Sequence, residues 1–226
     1  MIDPIVPAHS RTIAYIAILA ILFACALPLD VPVSAWAHNT GLAGWLKNSQ
    51  HVTHILRFPG DFWFTIVVCA AMLAAGLAYG ERRGADFWKK PAIVLLAGIF
   101  SGINALLKWC IGRIRPYHGV PAFELHPFRS GSGGIEASYS FPSGDCSLAF
   151  AMSASLTMVI PRLWPLWWIL ALIVAMERIA ENAHYPSDTV GGAALGIGVA
   201  VLAKKIVMAI GKRKAKDLRP EVIIPS

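Results

Sequence analysis

The chain is poor in charge. Asp, Glu, Lys and Arg make up only 15% of its 226 residues, while 56% are hydrophobic, above the roughly 45–50% of soluble domains. With a mean hydropathy of +0.58, this balance excludes an ordinary soluble fold. Cysteine is scarce too. Cys25, Cys69, Cys110 and Cys146 lie in or beside apolar stretches at wide spacings, a pattern that suits buried thiols and suggests neither a disulfide framework nor a metal site. There is no internal repeat, low-complexity tract or soluble domain. The few charges are unbalanced, with a net of +7 and a pI of about 9.4. Such a balance serves nucleic acid or anionic lipid. No basic stretch is interleaved with aromatics, which favours lipid over nucleic acid.

What the chain does have is long apolar runs. A bilayer core takes about 20 predominantly apolar residues of helix. Six stretches come near that length: 12–29, 62–80, 91–111, 143–160, 164–181 and 187–210. They predict an all-α fold, a six-transmembrane-helix bundle forming a single membrane domain over 1–226. Its motif-bearing core is 91–210, with an interfacial segment at 30–60 and a basic tail at 211–226. Arg82, Arg83, Lys89 and Lys90, then Arg162, then Lys212, Arg213, Lys214, Lys216 and Arg219 fall in alternate loops. The excess of Lys and Arg on cytoplasmic loops then puts both termini inside the cell. Segments 30–60, 112–141 and 182–186 face outward, toward the periplasm or exterior of a cell's inner (plasma) membrane. A competing reading takes Arg11, the first apolar run and Ala35-Trp36-Ala37 as a cleaved signal peptide. In 31–60, Trp36, Leu42, Trp45 and Ile55 alternate irregularly with polar residues. That pattern fits one or two interfacial helices lining lipid entry, or a plain loop. Gly98 and Gly102, and the glycines at 191, 192, 196 and 198, predict close helix packing.

Three short motifs sit on the outward face. Lys108 and Arg115 belong to Lys108-Trp109-Cys110-Ile111-Gly112-Arg113-Ile114-Arg115-Pro116, and Arg178 follows in the fifth segment. Alone, each cation fits interfacial snorkelling. Together, beside Pro, Gly or His breaks, they suit a doubly charged phosphoryl group. Pro142-Ser143-Gly144 opens the fourth segment. Proline suits a first helical turn, and the amides of Ser143 and Gly144 can point at an anion; the plainer alternative is a simple helix start. His184 and Asp188 lie four apart across the start of the sixth segment. A carboxylate on one imidazole nitrogen makes the other a better nucleophile, and the alternative is a structural cap from Ser187 or Asp188.

The elements Lys-x6-Arg-Pro, Pro-Ser-Gly and Arg-x5-His-x3-Asp, in this order at helix ends over 108–192, resemble the tripartite signature of the type 2 phosphatidic acid phosphatase (PAP2) superfamily, in its integral-membrane lipid phosphatase branch. The resemblance implies a metal-independent phosphatase that needs no cofactor. His184 would attack phosphorus and form a phosphohistidine, with Asp188 orienting it. Lys108, Arg115, Ser143, Gly144 and Arg178 would hold the phosphoryl oxygens, and water would release phosphate. The substrate would be a phospholipid or isoprenoid phosphate drawn from the bilayer.

One position departs. Where the family has a His that protonates the leaving group, this chain has Asp145. An Asp, with a reference pKa of about 3.9, is a poor acid at neutral pH. Such an acid matters less the weaker the leaving group's basicity. The substitution therefore predicts a lipid diphosphate, an undecaprenyl-type carrier or a diphosphorylated headgroup, over a simple monoester. Two alternatives are a proton held on Asp145 by the substrate, and His118 or His126 serving as the acid. Rival functions are a phosphotransferase passing the phosphoryl group to another lipid, and a non-catalytic lipid-phosphate binder or transporter. A soluble vanadium haloperoxidase, which shares the phosphate-site motifs, is excluded by hydropathy.

Overall fold

A computed structural model describes residues 8–78, 87–118, 123–129 and 134–217. The chain is helical throughout. In order the helices are α1 (Ala8–Ala26), α2 (Asp30–Asn39), α3 (Leu42–Asn48), α4 (Gln50–Arg57), α5 (Phe62–Ala78), α6 (Lys89–Ser101), α7 (Asn104–Ile111), α8 (Gly134–Ser138), α9 (Gly144–Val159), α10 (Trp164–Ala180) and α11 (Pro186–Asp217). Among the described residues the β structure amounts to isolated bridges, Arg113 to Leu125 and Ile114 to Tyr139. They tie down the strip that follows α7.

α9 is the axis of the bundle. Every residue from Cys146 to Leu156 is buried, and α9 contributes to three separate core clusters. Cys146, Ala149 and Phe150 pack on Ala171, Val174 and Ala175 of α10. Ala151 and Ala154 meet Ala97 of α6 and Val199, Ala200 and Ala203 of α11. Leu148, Met152 and Leu156 meet Cys69 of α5 and Val94 of α6. The small side chains let neighbours approach closely. A methyl group at Gly192 of α11 would lie 2.5 Å from the Ser143 carbonyl oxygen, and one at Gly196 would strike that of Ser147. These glycines lie about one turn apart, so α11 rides on the backbone of α9. Gly98 presses on Thr65 of α5. Gly102 instead ends α6.

The six apolar stretches all contain helices, but their boundaries and roles differ from a simple six-span bundle. Four helical stretches are long and apolar enough to cross a membrane: Ile13–Asn39, Lys89–Ile111, Pro161–Ala180 and Pro186–Arg213. A fifth arises if Gln50–Gly60 and Phe62–Ala78, bent by 56° where they meet, form one span. α9 has 16 residues, about 24 Å at 1.5 Å per residue, against a hydrocarbon core of about 30 Å. The third stretch is interrupted at Gly102 and Ile103, which separates α6 from α7. The region 30–60 forms three helices and a 3-10 turn at Phe58–Gly60, with Gly41 at φ 72° between α2 and α3. The last helix runs past 210 to Asp217, so the expected tail begins as helix. Arg82, Arg83 and Arg219 lie outside the described residues.

Large apolar side chains cover the outside, among them Ile16 and Ile21 of α1 and Leu166, Leu172 and Met176 of α10. In a bundle of apolar helices that is a lipid-facing surface. The ends of the bundle differ. Lys89 lies against Gly211, which joins the start of α6 to the end of α11. The motifs gather at the other end, where α7 and α10 finish and α9 and α11 begin.

Candidate active site

α7 stops at Gly112, which adopts φ 67°. A β-carbon there would collide with the His126 carbonyl, so a glycine is required. The turn throws the next residues across the bundle end, and Ser140 N–H donates to the Arg113 carbonyl at 2.7 Å. Lys108, Arg113 and Arg115 thereby enter the interior, with 1%, 4% and 9% exposure.

His184 sits in the short link between α10 and α11 and is 2% exposed. Its Nε2 lies 3.1 Å from an Arg115 terminal nitrogen, which also donates to the Ala183 carbonyl at 3.0 Å. A guanidinium only donates, so Nε2 is the acceptor and the ring proton belongs on Nδ1. That nitrogen faces Asp188 Oδ2 at 3.7 Å, beyond the roughly 2.7–3.2 Å of a hydrogen bond. Burial, then the charges of Arg115, Lys108 and Arg178, hold His184 well below the usual imidazole range. The ring is therefore neutral at physiological pH, with its lone pair on Nε2.

Asp188 is fully buried and serves in two ways. Oδ2 accepts the Tyr185 N–H at 2.8 Å, closing the first turn of α11 as a capping side chain does. Oδ1 takes an Arg113 N–H at 2.7 Å. The cap and the histidine partner, alternatives from sequence alone, are the same residue.

Arg178, near the end of α10, is 4% exposed. Its Nε and one terminal nitrogen bind Glu177 at 2.7 and 3.0 Å. The other terminal nitrogen reaches Asp145 Oδ2 at 3.1 Å, and Glu181 pairs with the same guanidinium. Asp145 has 33% side-chain exposure.

Ser143 does not offer a free amide. Its N–H donates to the Asp188 carbonyl at 3.0 Å, and its hydroxyl accepts the Cys146 N–H as the N-cap of α9. The backbone of α11 consumed the donor expected to face an anion, so Ser143 straps the two helix starts together. At Gly144 the close neighbour is Asn104, whose amide nitrogen would lie 2.5 Å from an added methyl. His126 is hydrogen-bonded to Glu124 at 2.9 Å, and the side chain of His118 lies outside the described residues. A cavity of about 470 Å³ opens beside Gly144 and Asp145, walled by Gly60, Phe62, Gly98, Asn104 and Leu148. Among the described residues no group of His, Cys, Asp and Glu could hold a metal ion.

Residues 88–212 match the PAP2 superfamily. The chain belongs to that superfamily. It is 37% identical over 114 residues to the lipid A 1-phosphatase of Rhizobium johnstonii, covering 49% of this chain and 45% of that protein. It is 28% identical over 122 residues to the undecaprenyl-diphosphatase of Sulfolobus acidocaldarius, covering 52% and 56%. The chain thus spans about half the length of the curated relatives it matches. The crystal structure of a transmembrane PAP2 type phosphatidylglycerolphosphate phosphatase from Bacillus subtilis aligns with TM-score 0.58 at 22% identity, over 88% of this chain and 96% of that one. That likeness shows a shared fold. The apolar helices and the fold together make this PAP2 protein a multi-pass membrane protein.

Several site residues escaped the motif spacing. Arg113, Glu177 and Asn104 engage Asp188, Arg178 and Gly144. Asp30, from the α1–α2 junction, is fully buried among them. Its signal was a lone carboxylate inside a long apolar run, which in a membrane segment marks a partnered group.

Proposed function

We propose that the protein is a membrane lipid phosphatase that works through a phosphohistidine at His184. The observation that carries this is a buried, neutral imidazole whose Nε2 lies under Arg115 while Nδ1 faces Asp188. When a phosphoryl group enters, the Arg115 N–H moves from Nε2 to a phosphoryl oxygen and frees the lone pair. Nε2 attacks phosphorus in line, an N–P bond forms and the bond to the leaving oxygen breaks. Asp188 stabilises the resulting imidazolium. Water then attacks phosphorus, releasing inorganic phosphate and restoring His184. Lys108, Arg115 and Arg178 carry the phosphoryl charge in the transition state, with Gly144 at the start of α9 beside it. Arg178 must first exchange Asp145 for a phosphoryl oxygen. No step needs a metal or cofactor.

The preferred substrate is a lipid diphosphate, of undecaprenyl type or a diphosphorylated headgroup. Before substrate binds, Asp145 is ion-paired with Arg178, so it enters the reaction as a carboxylate that carries no proton for the leaving group. An alkoxide leaving group needs that proton; a lipid monophosphate leaving from a diphosphate needs it less. The relative named undecaprenyl-diphosphatase supports a diphosphate substrate, and the one named lipid A 1-phosphatase supports a lipid phosphate more broadly. The lipid enters from the bilayer into the cavity beside Asp145. The site faces the periplasm or exterior, with both termini inside, because Lys89, Lys90, Arg162, Lys212 and Arg213 gather at the far end.

The test is phosphate release by purified protein in detergent with EDTA, from a prenyl diphosphate and from phosphatidic acid. Release from the diphosphate that disappears in His184→Ala is the expected result. Release that survives His184→Ala overturns the nucleophile. Release that appears only with a lipid acceptor makes the enzyme a transferase, and binding without turnover makes it a binder.

A further inference from the structure

Asp30 accepts three hydrogen bonds at the bundle end. Its Oδ1 takes the Ser187 N–H at 2.9 Å, and Oδ2 takes the Ser187 hydroxyl at 2.6 Å and an Arg113 N–H at 2.7 Å. Arg113 uses its other terminal nitrogen on Asp188 Oδ1 and the Ser187 hydroxyl, each at 2.7 Å. The Arg113 guanidinium also lies over the Tyr185 ring, 4.2 Å from its centre. One arginine is thus clamped between two fully buried carboxylates. One belongs to the α1–α2 junction, outside the 88–212 region that matches the superfamily, and the other faces His184.

We propose that Asp30 is a positioning residue for the nucleophile: through Arg113 and Ser187 it holds Asp188 beside Nδ1 of His184, where the carboxylate supports the charge that develops on the ring. The inference rests on the phosphatase reading for its catalytic consequence. Its geometry is independent of that reading. Asp188 sits 3.7 Å from Nδ1, so it acts on the ring through its charge, and that effect depends on where the carboxylate is held. Three contacts hold that carboxylate: Tyr185 N–H on Oδ2, Arg113 on Oδ1, and the Ser140 hydroxyl. The second is only as fixed as Arg113. Without Asp30, Arg113 loses one of the two carboxylates that clamp it, and the start of α11 loses two acceptors at Ser187. The surrounding charges on His184 come from Lys108 on α7, Arg115 after it, Asp145 on α9, Arg178 on α10 and Asp188 on α11. None of these replaces the Asp30 contact.

The experiment uses the full chain in detergent, wild type and Asp30→Asn, with ¹⁵N-labelled histidine and His184→Gln to assign the ring. Wild type and Asp30→Asn should both show His184 as the Nδ1–H tautomer set by Arg115, with the Nδ1 resonance shifted in the variant as Asp188 moves. On a prenyl diphosphate, Asp30→Asn should lower kcat about ten- to a hundredfold, the scale of losing an outer partner of a site residue, with KM within about twofold. The fraction of enzyme that forms phosphohistidine in a burst should stay the same. Unchanged ring shifts, with the rate loss explained by a smaller active fraction, would overturn the proposal and leave Asp30 a purely structural anchor. If Asp30→Asn does not fold, Arg113→Lys, which cannot span both carboxylates, is measured in the same way. If the wild type releases no phosphate from any lipid, the phosphatase reading fails, and the ring shifts still decide the role of Asp30.

Discussion

The two sides of the site are built differently. Around His184, the Asp188–Arg113–Asp30 chain is sealed from solvent, and each carboxylate shares one arginine. Around Arg178, three carboxylates from three positions crowd one guanidinium, and one of them, Asp145, is a third exposed. On the first side Arg113 sits between two carboxylates while Arg115 and Lys108 stand beside His184, so cations offset the negative charge. The second has three carboxylates on one arginine, an excess of negative charge. Buried charge is tolerated when it is paired and hydrogen-bonded, and on the Arg178 side the exposed Asp145 is the partner easiest to displace. On the proposed mechanism, the His184 side is set before substrate arrives, whereas the Arg178 side rearranges around it.

Breaking the nucleophile side should have the largest effect. His184→Ala should reduce phosphate release by about 10³-fold or more and abolish acid-labile phosphorylation of the protein, measured with ³²P-labelled diphosphate. Asp188→Asn, which keeps shape but loses charge, should cost about 10²–10⁴-fold in kcat, as for an orienting carboxylate. On the other side the effect should reverse in sign. Asp145→His should raise turnover of phosphatidic acid about 10–10²-fold and change diphosphate turnover far less, in a side-by-side rate comparison. Equal gains on both lipids would remove the leaving-group explanation. The smallest effect concerns pH. Because His184 is held below the ordinary imidazole range, protonation removes its lone pair only at unusually low pH. The acid limb of kcat/KM should therefore lie below about 6.5, and a limb at or above that value would mean that the free enzyme's ring is not held as described.

How far the sequence foretold these two sides follows from which contacts are local. His184 and Asp188, and Lys108 and Arg115, are set by helix-end spacing, so their order along the chain announced them. The Ser143 amide was misjudged because its acceptor, the Asp188 carbonyl, belongs to a helix that begins more than 40 residues later in sequence. Asp30 lies 157 residues from Ser187, and no motif spacing spans that. Hydropathy found all six apolar stretches but could not rank them, because lipid and protein interior are both apolar. It therefore did not set the enclosed α9 apart from the lipid-facing helices. The clue lay in its side chains: seven of the sixteen are Ala, Ser or Cys, beside two Leu, two Met and one Phe.

That clue has a consequence for mutational tolerance. α1 shows Ile13, Ile16 and Ile21 to its surroundings at half exposure or more, so it should accept almost any exchange among large apolar residues there. α9 has no spare side, being enclosed by α5, α6, α10 and α11. In a saturation scan read by folded yield in membranes, α1 should resemble a hydropathy filter. α9 should resemble a size filter, in which Ala151→Leu costs about 1–3 kcal/mol although it makes the helix more apolar.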